Sequence, residues 1–133
     1  MKISETIQNI VNESESKALG TVGGSGVMNV VPISMVKAEA DAIYIFNFFM
    51  RKTLENILEN KAVAFSAWSG MTGVQIKGTT EYLTKGSEFT KMVDWVASEN
   101  PARMVLGVIK ITPHELFDVS PGKNIPTDDL ALS

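Results

Sequence analysis

The chain predicts a mainly β fold with helices (α+β), a closed antiparallel barrel with helical plugs, and three observations predict it. Six or seven short stretches rich in β-branched and aromatic residues recur along the 133 residues. The links between them are hairpin-length or carry amphipathic helices, which suits an antiparallel barrel better than a parallel sheet. No internal repeat or low-complexity segment suggests a solenoid or joined modules, so a single domain over residues 1–133 is expected. Closure also removes the exposed strand edges of an open sheet.

Taken in order, Ser4 can cap a helix reaching about Ser16, with Glu5 in its first turn and Ile3, Ile7, Ile10 and Val11 along one stripe. Residues 17–23 read as a strand, and Gly-Gly-Ser-Gly at 23–26 supplies a hairpin returning through residues 27–36. Pro32 interrupts this second strand; an edge, a bulge or an opening toward something bound would each admit it, and an opening is expected. After a polar turn at 37–41, residues 42–47 form a strand and 51–60 a helix whose Leu54, Ile57 and Leu58 face the sheet, with Thr53 a candidate cap. Strands at 62–68 and 74–84 are joined by Ser-Gly-Met-Thr-Gly, a loop long and glycine-rich enough to adapt to a ligand. Residues 86–99 form a helix with Phe89, Met92, Val93 and Val96 on its apolar face, stopped by Asn100 and Pro101. Closing strands at 105–111 and 115–119 follow, and the tail beyond Pro121 carries little to bury.

Composition removes several function classes. A net charge of −3, with Lys and Arg scattered, gives no long-range attraction to nucleic acid or anionic lipid, so neither partner is expected. Cysteine is absent and there is one histidine, which removes disulfides, thiolate nucleophiles and thiolate or multi-histidine metal sites. Residues 1–16 show no leader pattern and no apolar run reaches the ~20 residues that span a bilayer, so a soluble, cytoplasmic protein is expected.

The most informative stretch is NFFMRKTLENILEN, residues 47–60, where an apolar strand runs into a short amphipathic helix. Backbone N–H groups at a helix start lack intrahelical partners and carry roughly half a positive charge. Arg51, Lys52 and Thr53 add charge-assisted donors there, which outlines a phosphate site for a phosphorylated cofactor or metabolite. Phe48, Phe49 and Met50 form an apolar run where a loop is normally polar, so they are either an interface between subunits or the wall of a pocket.

The order GTVGGSGVMNVVPIS, IYIFNFFMRKTLENILENKAVAFSAW and GVQIKGTTEYL resembles the FMN-binding split barrels related to pyridoxamine 5′-phosphate oxidase, over about residues 17–119. The MRKT tetrad followed by LxxNILEN is the most specific piece and is similar to the small FMN-binding proteins of that group. The resemblance implies a closed antiparallel split β-barrel and a homodimer with an FMN in each cleft between barrels. It further implies that Arg51, Lys52 and Thr53 hold the FMN phosphate, and that Val31, Pro32, Ile33 and Ser34 run beside the ring and ribityl chain. Phe46, Asn47 and Phe48 match a strand end that contacts the flavin, Gln75 matches a position reaching it from across the dimer, and Trp68 is a candidate for the cleft wall. Val31 and Val36 stand where the larger oxidases carry an arginine and a lysine, and their longer C-terminal segment is missing, so pyridoxamine phosphate oxidation is not the expected activity.

The expected function is a small flavoprotein oxidoreductase passing electrons or hydride through FMN from a reduced nicotinamide or a redox partner, with no catalytic side chain of its own. The rivals are a non-catalytic flavin store or electron carrier, a related barrel using a deazaflavin or haem, and a barrel with an empty cleft that holds a protein partner. Haem is handicapped by having only His114 as an imidazole. His114, Trp95 and the acidic pairs near each end read as surface, packing and solvated charge respectively.

Overall fold

A computed structural model describes residues 2–133, so Met1 lies outside the described residues. The chain forms α1 (Glu5–Asn12), β1 (Ser16–Val22), β2 (Met28–Pro32), β3 (Val36–Ala38), β4 (Ile43–Asn47), α2 (Lys52–Glu59), β5 (Ala62–Ser69), β6 (Thr72–Leu83), α3 (Ser87–Glu99), β7 (Gly107–Asp118) and a 3-10 turn at Thr127–Leu130. All seven strands join one antiparallel sheet in the order β2-β1-β5-β6-β7-β4-β3.

That order explains the curl. β2 and β3 are opposite edges of the sheet, yet only residues 33–35 separate them. Four extended steps reach at most about 14 Å, so the sheet must roll until its edges nearly meet. The result is a barrel split between β2 and β3. The single strand expected over residues 27–36 is therefore two strands. Pro32 ends β2 on the outer edge, where its missing N–H costs no ladder bond.

Leu19, Phe65, Ile76, Ile109 and Ile111 fill the barrel, and Ile3, just before α1, together with Ile7 and Val11 on it, plugs the barrel. Ser4 caps α1 as expected, its Oγ accepting from the Ile7 N–H at 3.3 Å, but the helix stops at Asn12, just past Val11, the last residue of its apolar stripe, and β1 begins at Ser16. β4 is buried along its whole length. Ile43 and Ile45 face the barrel core, while Tyr44 and Phe46 face α3 through Met92 and Val96. Trp95 stacks on Phe46 with ring centroids 5.6 Å apart. Burying such side chains contributes ~1.5–3 kcal/mol each.

Three further expectations are corrected. The Ser69–Gly73 link is no adaptable loop: Ser69 pairs with Thr72, leaving a two-residue hairpin with Gly70 at φ +55°, the geometry of a tight turn. The closing strands are one twelve-residue strand; the register slips opposite Lys77 and Gly78, Gly78 pairs with Pro113, and His114 drops out of the ladder. The tail does bury side chains. Ile125 joins the core, Leu130 and Leu132 pack against it, and Lys2 and Ser133 exchange backbone hydrogen bonds at 2.7 and 3.0 Å. No described helix is long and apolar enough to cross a membrane.

Candidate functional site

A cleft of about 1140 Å³ opens where β2 and its exit segment face the connection from β4 into α2. α2 starts there without a side-chain cap, and its first helical hydrogen bond runs from the Glu55 N–H to the Arg51 carbonyl at 3.0 Å. The N–H groups of residues 52–54 are therefore without helical partners. Arg51 and Lys52 are exposed beside them; the ion pair from Lys52 to Glu55 at 3.6 Å is solvent-exposed and leaves it available.

A polar stripe fixes the position of this entrance. Thr53, Asn56 and Glu59 follow one another at helical spacing and all face the β1–β2 hairpin. Asn29 donates to Thr53 Oγ1 at 3.2 Å, Asn56 donates to Thr21 Oγ1 at 3.0 Å, and the Gly24 N–H donates to Glu59 Oε2 at 2.6 Å. A Cβ at Gly24 would stand 2.7 Å from that carboxylate oxygen, so a larger residue there would push the Glu59 side chain aside. Leu58, expected to face the sheet, is 65% exposed, because this stripe and not an apolar one turns inward beside Leu54 and Ile57.

Val31, Pro32, Ile33, Ser34, Phe46, Phe48, Arg51, Lys52 and Thr53 all line the cleft. Asn47 lies just beneath. Only 2% exposed, it accepts from the Met50 N–H at 2.6 Å through Oδ1, donates to the Tyr82 hydroxyl at 2.8 Å, and its carbonyl accepts from the Leu106 N–H at 2.8 Å. It positions the cleft and does not line it.

Trp68 and Gln75 are not in this cleft. The register runs Pro32, Ala18, Ser66, Gln75, Phe117 across the outer face of the sheet. Three ladder steps of ~4.8 Å put Gln75 about 14 Å from Pro32, beyond the reach of its side chain. Trp68 lines a separate shallow depression with Met71 and Val119.

Asn29, Met35, Arg103 and Met104 belong to the cleft and were missed. Arg103 comes from the link between α3 and β7, donates to Ser34 Oγ at 2.7 Å, and lies 4.6 Å over the Phe48 ring. No local pattern marks it, because a distant part of the chain carries it in.

Electrostatics elsewhere are structural. The Tyr44 hydroxyl donates to Glu88 Oε2 at 2.5 Å and Lys110 reaches the same oxygen at 2.7 Å, joining α3 to β4 and β7. The Lys110 ammonium first, and the Tyr44 hydroxyl second, hold the Glu88 carboxyl below its ordinary range. Burial and then the Glu88 carboxylate push the Tyr44 phenol up.

Residues 3–120 match the family described as pyridoxamine 5′-phosphate oxidase. The uncharacterized protein MJ0282 of Methanocaldococcus jannaschii is 33% identical over 115 residues, covering 83% of this chain and 76% of that protein. Among solved structures, HupZ of Group A Streptococcus superposes with a TM-score of 0.80 at 19% identity, over 93% of this chain and 99% of that one. An FMN-binding protein of Syntrophomonas wolfei gives 0.76 at 18% identity, over 87% and 85%. HutZ, the heme storage protein of Vibrio cholerae, gives 0.71 at 12% identity, over 89% and 95%. At these identities the structures establish the shared split-barrel fold.

Proposed function

The chain belongs to the pyridoxamine 5′-phosphate oxidase family of split barrels, and from that premise we propose that it binds FMN in the β2–α2 cleft and acts as a small flavin-dependent oxidoreductase. One observation carries this reading: the unpartnered N–H groups of α2 meet Arg51, Lys52 and the Asn29–Thr53 pair at one end of an apolar slot. A phosphate fits that end, since it accepts several donors and complements the helix dipole. A flat ring fits the slot, whose walls are Val31, Ile33, Phe46 and Phe48. When bound, the flavin supplies the redox chemistry. The chain's own residues anchor the phosphate, exclude water from the ring and present backbone dipoles at its edge.

The acting unit is proposed to be a homodimer. Val30, Trp68 and Phe117 are 71%, 40% and 39% exposed on the outer sheet face, an apolar area that a second copy can cover. Gln75 lies on that same face, so it can approach only a partner's cleft. The electron donor on this reading is a reduced nicotinamide or a redox protein, and the protein is cytoplasmic.

A second reading is favoured by the likeness to a heme storage protein. Against it, His114 sits exposed at the β7 bulge, bonded to Thr79 Oγ1 at 2.9 Å, and the residues lining the cleft include no imidazole. The absorption spectrum of freshly purified protein, followed by FMN titration, separates the readings. Flavin bands and saturable fluorescence quenching are expected. A Soret band, a deazaflavin spectrum, or free FMN fluorescence undiminished at protein excess counts against the proposal.

A further inference from the structure

The two ends of the cleft are built for different things. Asn29 marks one end by holding Thr53, and Ser34 marks the other by accepting from Arg103. Between them the chain stays extended, for β2 runs to Pro32 and the Ile33 N–H still bonds the Lys17 carbonyl at 2.9 Å. Five extended steps put the ends up to about 16 Å apart. Arg103 therefore stands at the Ser34 end of the cleft, and the Asn29–Thr53 contact beside α2 at the other.

Its surroundings describe a receptor for a second anion. The guanidinium plane is supported by Phe48, and Ser34 takes one of its five N–H donors. Among the described residues no carboxylate pairs with Arg103, although three other cations find one. Met35, Phe49 and Met104 also line the cleft, so an incoming anion meets a guanidinium backed by an aromatic ring and set among apolar side chains. Space is also available: at about 1140 Å³ the cleft exceeds the ~300–1,000 Å³ usual for one small ligand.

We propose that Arg103, held by Ser34 and Phe48, anchors a second ligand in the cleft: a flat substrate bearing one carboxylate, which the guanidinium fork grips while the aromatic body lies against the flavin. The planar guanidinium fork, held by Ser34 and Phe48, matches the two oxygens of one carboxylate. This rests on the flavin reading and adds the substrate class to it.

The test uses benzoate as probe and benzamide as its neutral counterpart. FMN affinity is first measured by fluorescence quenching for the wild type and for Arg103→Gln and Arg103→Lys; each probe is then titrated into the FMN-loaded proteins and read from the flavin absorption band. Benzoate is expected to bind the FMN-loaded wild type tenfold or more tighter than benzamide. Arg103→Gln should erase that preference, and Arg103→Lys restore part of it. If benzoate leaves the flavin band unmoved, matches benzamide, or binds Arg103→Gln unchanged, the inference falls while the flavin reading stands. If Arg103→Gln loses FMN itself, Arg103 is a cofactor contact and the inference falls again. A wild type that takes up no FMN overturns the flavin reading and the inference with it.

Discussion

The side-chain amide of Asn47 donates to the Tyr82 hydroxyl at 2.8 Å, and this bond ties the floor of the cleft to β6. The same amide accepts from the Met50 N–H, and the Asn47 carbonyl accepts from the Leu106 N–H. One buried residue thus fixes the approach to α2, which carries Arg51, and the link that carries Arg103. Asn47→Ala leaves a partly buried N–H and hydroxyl without their partner, a loss of about 2 kcal/mol. Tyr82→Phe removes only the hydroxyl and should cost about 1 kcal/mol. Urea unfolding measures both, and FMN titration should show Asn47→Ala weakened more than Tyr82→Phe. Equal FMN affinities would mean that Asn47 does not position the cleft.

Replacing Arg51 and Lys52 together by alanine should lower FMN affinity tenfold or more with a thermal midpoint close to wild type. Both side chains are exposed, and the Lys52–Glu55 pair, about two-thirds exposed on each side, contributes little to stability. Thr53→Val should also weaken binding, through the lost hydroxyl that Asn29 orients. Undiminished affinity in the double variant would remove the proposed anchor.

How much of this was legible in the chain depends on how local each feature is. The anchor could be read because Arg51, Lys52 and Thr53 are adjacent and sit at a recognisable strand-to-helix junction. Arg103 could not, since only the pairing of β4 with β7 brings its link to Phe48. Thr53, Asn56 and Glu59 look like a solvent face in any hydropathy pattern, and become a docking face only because the β1–β2 hairpin supplies matching polar groups. The division of residues 27–36 into two strands follows from sheet order, which no short window encodes. Ile125, Leu130 and Leu132 are too sparse to announce a buried tail, yet the open end of the barrel accepts them.

Gly78→Ala is expected to be strongly destabilising. A Cβ there would collide with the Thr112 carbonyl, which is backbone of the paired strand, and would lie 3.0 Å from Ile111 Cγ2. Neither can rotate away, so about 3 kcal/mol or more should be lost. Gly70→Ala meets open space and should lose only the ~1 kcal/mol of a left-handed backbone at φ +55°. Thermal melts of the two variants decide it; similar midpoints would contradict the bulge geometry.

The Tyr44–Glu88–Lys110 cluster makes the attachment of α3 depend on pH, and the signs can be worked out group by group. The Glu88 carboxyl is held below its ordinary 4.5, so its contribution is complete above that value and is lost as the solution acidifies through the lower folded value. Lys110 is shifted upward, mainly by its hydrogen bond to Glu88, so its contribution is complete below 10.5 and is lost as pH rises through the higher folded value. Tyr44, also raised, remains a donor across the interval between. Glu88→Gln keeps the shape but ends the ion pair, so the stability gap between it and the wild type should be flat from about pH 5 to 10 and close at both extremes. The near-ultraviolet signal of Trp95, which α3 carries onto the Phe46 ring, should follow the same profile. A gap that persists unchanged in strong acid would show that Glu88 acts by packing, and that the three-group cluster does not clamp α3 through charge.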